Sequence, residues 1–182
     1  MKGFYKEEQK FTQWWLWGLI GISTATVFYI VLQGMYVQFI LGEPWGDRPM
    51  SDTGLALVNV FTFITMGGIL FLFISMKLTI EVHNRTIYYR FAPFIIQNRR
   101  IGLEEIESWE VKKFSLFKDF GGYGMRKGFS GKTAYNIRGN MGRGLRTKLK
   151  NGKDLLLGTQ RPDELRAAIQ HEFDRMDDPD FD

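Results

Sequence analysis

Hydrophobic and polar positions change character abruptly along the chain. Residues 12–42 carry no charge, and neither do residues 54–76. About 20 apolar residues suffice to cross a hydrocarbon core of about 30 Å. Both runs are long enough, and neither keeps the polar face expected of a helix covering a small soluble core. A signal-peptide apolar region is shorter, about 7–15 residues, and ends in small residues. The first run instead carries Phe28, Tyr29 and Met35 in its later part. Both runs are therefore read as retained spans, forming a transmembrane helical hairpin over residues 13–76. Trp14, Trp15 and Trp17 suit the interfacial aromatic belt at one end, with Tyr36 and Trp45 at the other. Gly18, Gly21, Ser23, Ala25, Gly67 and Gly68 are small enough for close helix contact. Gly18 and Gly21 are three apart rather than four, which favours a hairpin within one chain over a dimer face.

From Lys77 the pattern alternates. Leu78, Ile80 and Val82 point one way and Thr79, Glu81 and His83 the other. Residues 86–91 resume with β-formers after Asn84-Arg85, so a β-hairpin is expected. Residues 94–101 are a third strand, residues 103–105 a turn, and Trp109 and Val111 mark a fourth strand against Ser108, Glu110 and Lys112. A glycine-rich polar loop follows, over residues 115–131. Strands are expected again at residues 132–138 and 144–150, where Leu145, Thr147 and Leu149 oppose Arg146, Lys148 and Lys150. Asn151-Gly152 is a strong hairpin signal, and residues 154–157 complete it. A helix then starts at Pro162, with Asp163 and Glu164 in its first turn. Leu165, Ala168, Ile169, Phe173 and Met176 share one apolar face. The expected organisation is residues 1–12 as a cytoplasmic N-terminal segment, 13–76 as the hairpin, 77–176 as a cytoplasmic domain and 177–182 as an acidic tail.

Two stretches carry a family resemblance. Arg100-Ile101-Gly102-Leu103-Glu104-Glu105-Ile106 is close to a recurring "RIPLEEI" element, with Gly where Pro is common. Gly158-Thr159-Gln160-Arg161-Pro162-Asp163-Glu164-Leu165 enters the last helix. With two preceding spans, about seven strands and one closing helix, the chain resembles the bacterial PH-like (pleckstrin-homology-like) membrane proteins. The resemblance covers roughly the whole chain. It implies a bent seven-stranded sheet or barrel capped by a C-terminal helix, and a membrane-tethered accessory protein. It implies no catalytic residue.

Charge sets orientation and the candidate chemistry. Lys2, Lys6 and Lys10 precede the first span, and Lys77, Arg85 and Arg90 follow the second. The connector, residues 42–53, holds Glu43, Asp47 and Asp52 against Arg48. The positive-inside rule then puts both termini in the cytoplasm of a multi-pass protein of the cell (inner) membrane. Cysteine is absent, which excludes disulfides, thiolate metal sites and thiol catalysis. His171-Glu172 lacks the second histidine of a zinc-protease helix, since Arg175 stands at that place. Glu107 and Glu110 are three apart, which on a regular strand puts them on opposite faces. The glycines of residues 122–128, 128–133 and 139–144 miss the dinucleotide and phosphate-loop spacings. No catalytic residue, metal site or cofactor is expected.

The net charge of +4 hides an asymmetry. Between Lys112 and Lys153 the only acid is Asp119, whereas from Glu172 onward acids dominate. The candidate anionic-surface contacts are Lys112, Lys113, Arg126, Lys127, Arg143, Arg146 and Lys148. A non-enzymatic module binding an unidentified protein or peptide partner is the leading expectation. Contact with anionic lipid is the alternative, at about 1 kcal/mol per basic residue near the surface. A membrane-tethered domain without a recognition motif is a poor nucleic-acid binder.

Overall fold

The structure is a computed structural model that describes residues 4–113, 124–127, 132–137 and 143–177, of which 124–127 and Lys132 are described by backbone alone. The chain forms two compact units. One comprises residues 12–74. The other comprises residues 1–11 together with 75–182.

The first unit is a pair of long apolar helices, α1 (Trp14–Met35) and α2 (Asp52–Ser75). α1 continues into a π-helical turn, Tyr36–Ile40. Phe28 and Phe63 stack between the helices at 5.1 Å. Val31, Gly34, Leu55 and Asn59 are buried. Gly34 admits the Trp45 ring, which would lie 3.0 Å from an added Cβ. Gly18, Gly21, Gly67 and Gly68 have no neighbour within that reach. The expected small-residue contact is therefore replaced by aromatic stacking. Most other apolar side chains of the two helices are exposed, Ile22 and Phe61 both to 71 %, and the rest are half-buried. A core helix would be covered on its apolar face, and these are not.

The second unit is mostly β, with nine described strands. Its first strand, β1 (Tyr5–Lys10), precedes α1 in sequence. The reading that set residues 1–12 apart as their own segment is corrected here. β1 pairs antiparallel with β2 (Lys77–His83), from Tyr5 opposite Val82 to Lys10 opposite Lys77. β3 (Thr86–Ala92) and β4 (Ile95–Gly102) complete a four-stranded sheet in the order β1-β2-β3-β4. A 3₁₀ turn, Leu103–Glu105, leads to the second sheet. That sheet contains β5 (Ile106–Lys113), β6 (Gly124–Lys127), β7 (Lys132–Asn136), β8 (Arg143–Leu149) and β9 (Asp154–Gly158), in the order β5-β8-β9-β7-β6. β6 lies within the stretch read as a loop, and the rest of that stretch is outside the described residues. β7 and β9 run parallel.

Helix α3 (Pro162–Asp177) closes the domain. Its buried stripe is Leu165, Ile169 and Glu172. Phe173, expected in that stripe, is half-buried and stacks on Trp109 of β5 at 5.9 Å. Glu172 does not belong to the exposed acidic run: it is 1 % exposed and accepts the Arg85 backbone N–H at 2.7 Å. Arg85 and Asn84 turn between β2 and β3 with positive φ, so α3 pins this hairpin. Of the acidic tail, Asp177 ends α3 and residues 178–182 lie outside the described residues. The core lies between the sheets and α3. Phe91 of β3 faces Tyr135 of β7 at 5.9 Å, around Leu78, Ile80, Leu145 and Leu157.

β1 is held by polar contacts. Tyr5, Glu7 and Gln9 point inward and Lys6, Glu8 and Lys10 outward. The buried Glu7 carboxylate accepts from Tyr5 Oη at 2.5 Å, Thr159 Oγ1 at 2.7 Å and the Gln160 N–H at 2.7 Å. Gln9 Nε2 donates to the Gly158 carbonyl at 2.6 Å. Arg161 lies over the Tyr5 ring at 5.1 Å and donates to the Lys6 carbonyl. A Cβ on Gly158 would meet the Asn136 side chain at 2.4 Å, so any larger residue there would have to displace it. The stretch from Gly158 to Leu165 is thus the receptacle for β1. On the outer face, a hydrogen bond from Lys77 lowers the Glu8 pKa, and Glu81 raises that of Lys6.

Candidate functional site

The basic residues concentrate on β5, β8 and the start of α3. Along β8 the inward positions are Leu145, Thr147 and Leu149. That leaves Arg146 and Lys148 on the outer face, beside Glu110 and Ser108 of β5 in the ladder. The alternation read from the sequence holds here because the inward face is apolar.

The carboxylates of β5 behave differently. The register shifts between Ile106 and Ser108. Such a bulge re-aims side chains. Glu107 and Glu110 both reach cations of β8, which corrects their assignment to opposite faces: Lys148 Nζ lies 2.8 Å from Glu107, and Arg146 Nη1 3.8 Å from Glu110. Arg146 also binds Asp154 through Nε at 3.0 Å and Nη2 at 2.5 Å. Lys112 pairs with Glu110. Three of the candidate residues, Lys112, Arg146 and Lys148, therefore have carboxylate partners. Their acids lie just outside the basic run in sequence and directly beside it in the sheet. Arg126 and Lys127 fall on β6, and their side chains lie outside the described residues.

Lys113 and Arg143 differ from the rest. They stand opposite each other at the end of the β5–β8 ladder. Like charges directly opposite in a sheet repel. No carboxylate lies within ion-pair distance of either among the described residues. Together with Arg166 of α3 they line a shallow depression of about 270 Å³, which Asp163 also borders. Arg166 is held in place by donating to the Val111 carbonyl at 2.8 Å. The wall thus sets Lys113, Arg143 and Arg166 against Asp163, with Lys112 already paired to Glu110, at the N-terminal end of α3, where the helix dipole favours an anion. Arg166 was not singled out from the sequence. It sits on a helix, far along the chain from the basic run, and only tertiary packing brings it to Lys113.

Among the described residues no group of three His, Asp or Glu side chains could hold a metal ion. His83 stacks on Tyr88 at 4.7 Å, beside the β2–β3 turn. The arrangement of the depression suits recognition of an anionic group through charge. Comparison with protein-family models, with curated proteins and with solved structures gives no match. The chain stands as two long apolar helices with a mostly β domain closed by a C-terminal helix.

Proposed function

We propose that the chain is a non-enzymatic, membrane-anchored interaction module whose β domain binds an acidic protein or peptide partner at the cytoplasmic face. The observation that carries this reading is the cation pair Lys113 and Arg143, joined by Arg166 around one depression. Opposed like charges cost stability, and an acidic partner would relieve that cost.

The membrane part of the reading is supported by length, apolarity and exposure of α1 and α2. Pairing of β1 with β2 requires the segments flanking the two helices to lie on one side, as two crossings would give. A cleaved first helix would carry β1 away, so retention of both spans fits the buried Tyr5, Glu7 and Gln9. The lysines at 6, 10 and 77 favour the cytoplasmic side. A PH-like architecture is favoured by the two sheets, the closing helix and the two sequence elements at 100–106 and 158–165. The extra strand β1 and the parallel β7–β9 pair are additions to that plan.

Full-length protein in neutral-lipid nanodiscs tests the function. A glutamate-rich peptide should bind, and Lys113→Ser with Arg143→Ser should weaken binding roughly tenfold, about 1.4 kcal/mol. Rising salt should weaken the wild type, since exposed charges are screened beyond about 10 Å at about 0.1 M. Equal affinity of both proteins would sink the reading. Binding to nanodiscs or vesicles of anionic lipid instead, with none to the peptide, would favour the lipid alternative.

A further inference from the structure

The sheet register places one more apolar element at the end of the domain from which the two long helices leave. Lys10, the last residue of β1, lies opposite Lys77, the first of β2, and Lys77 lies opposite Ala92, the last of β3. Only residues 11–13 separate β1 from α1, and only Met76 separates α2 from β2. The turn between β3 and β4, residues 93 and 94, therefore projects from the same sheet end that feeds both spans. Its side chains are the wrong ones for water. Phe94 is 55 % exposed, and Ile96, just inside β4, is 74 % exposed. Phe94 stacks on Phe91 of the core, with ring centroids 6.1 Å apart. At the opposite end of this sheet, the β2–β3 turn is the polar pair Asn84-Arg85, pinned by Glu172.

We infer that the β3–β4 hairpin tip is a third membrane contact, inserting Phe94 and Ile96 into the interfacial layer of the membrane that holds the two helices. Chain reach limits the depth. The four Cα–Cα steps from Lys10 to Trp14 extend about 14 Å at most, and the α1 start carries Trp14 and Trp15, residues that settle at the headgroup level. Chain reach therefore allows the tip to touch that level. Charge fits the same surface. Lys10 and Arg90 flank this end with no carboxylate within ion-pair distance among the described residues, although Lys10 lies in the field of Glu8, and they complement an anionic leaflet. The contact would fix how the domain stands on the bilayer, and so which of its faces a partner meets.

The inference rests on both helices being in the bilayer, which resistance to alkaline carbonate extraction tests separately. Because the chain has no cysteine, single labels are clean. Full-length Ile96→Cys carrying an environment-sensitive fluorophore is reconstituted in vesicles of zwitterionic and anionic lipid. Glu104→Cys, beyond the far end of β4, is the aqueous reference, and Ile64→Cys in α2 is the bilayer reference. The Ile96 label should emit to the blue of the Glu104 label, resist aqueous iodide and be quenched by lipids carrying a nitroxide near the headgroup. Adding Phe94→Asp should return it to the aqueous level while carbonate resistance is kept. Iodide access equal to that of Glu104 would overturn the inference. So would shielding from iodide without nitroxide quenching, because a second copy of the chain, not lipid, would then cover the tip.

Discussion

Strands β1 and β2 lie side by side in one sheet and bury opposite chemistry. β2 sends Leu78, Ile80 and Val82 inward, all without exposure. β1 sends Tyr5, Glu7 and Gln9 inward, and its cohesion comes from hydrogen bonds to Thr159, Gln160 and Gly158. An apolar strand can be moved within a greasy core at moderate cost. A buried carboxylate has no such freedom, since each donor it leaves behind is stranded. β1 therefore specifies one register and one position, and it closes the domain from the far side of a two-helix insertion. The sharpest way to break this comparison is to remove β1. A fragment of residues 77–182 should be less stable, by on the order of 3–5 kcal/mol, than one in which residues 4–10 are joined to 77–182. The join needs only an Asn-Gly turn, because Lys10 and Lys77 already face each other and two residues suffice for a hairpin. Urea unfolding of the two fragments decides it. Equal midpoints would mean that β1 is ornamental.

The next effect isolates the carboxylate. Glu7→Ala in the full chain, held in micelles, should cost about 2–3 kcal/mol, because Thr159 Oγ1 and the Gln160 N–H lose their acceptor in a closed site. The loss should appear in thermal melting of the β domain and leave the helical signal of α1 and α2 in place, since the two units are separate. A change below about 0.5 kcal/mol, typical of surface positions, would show that water replaces the carboxylate freely.

The same contrast explains what was legible in the sequence. The spans, the β2–β3 hairpin, β8, β9 and α3 could be read because their inward residues are apolar and their periods unmistakable. β1 could not, because Tyr-Lys-Glu-Glu-Gln-Lys alternates buried and exposed without alternating apolar and polar. β5 misled through its bulge, which spacing cannot show. Arg146 and Lys148 looked like free cations because Glu107, Glu110 and Asp154 lie outside the basic run, although the ladder sets them alongside. Lys113 and Arg143 were visible as charges, but the lack of a carboxylate within ion-pair distance of them among the described residues was not, and Arg166 joined them only through α3 packing.

On the apolar side the comparison is sharpened at Phe173. Full burial would give a truncation cost of about 3–5 kcal/mol. Half exposed and stacked on Trp109, it should cost nearer 1.5–2 kcal/mol, most of it lost area and ring contact. Phe173→Leu should restore part of that, because area returns without the stack. Thermal melting of the two variants against wild type separates area from stacking, and a loss as large as that of Glu7→Ala would place Phe173 in the core after all.

The smallest effect is read in alkali. Burial first, then the hydrogen bond to Glu7, raises the Tyr5 pKa well above the ordinary value. Burial raises Tyr89 and Tyr135 too. A raised tyrosine pKa means that the folded state holds the proton more tightly than the unfolded state. The stability it contributes is fully present below the unfolded value of about 10 and is lost as pH rises above it, because the unfolded chain ionises first. Tyr5→Phe should cost about 1 kcal/mol at neutral pH, for the lost hydroxyl. Between about pH 10 and pH 12 its stability should fall less steeply than that of wild type. The gap between the two proteins should therefore narrow as pH rises, and a slope should persist in the variant from Tyr89 and Tyr135. Parallel stability–pH curves through that window would show that Tyr5 ionises as easily folded as unfolded, and that the β1 receptacle is open to water.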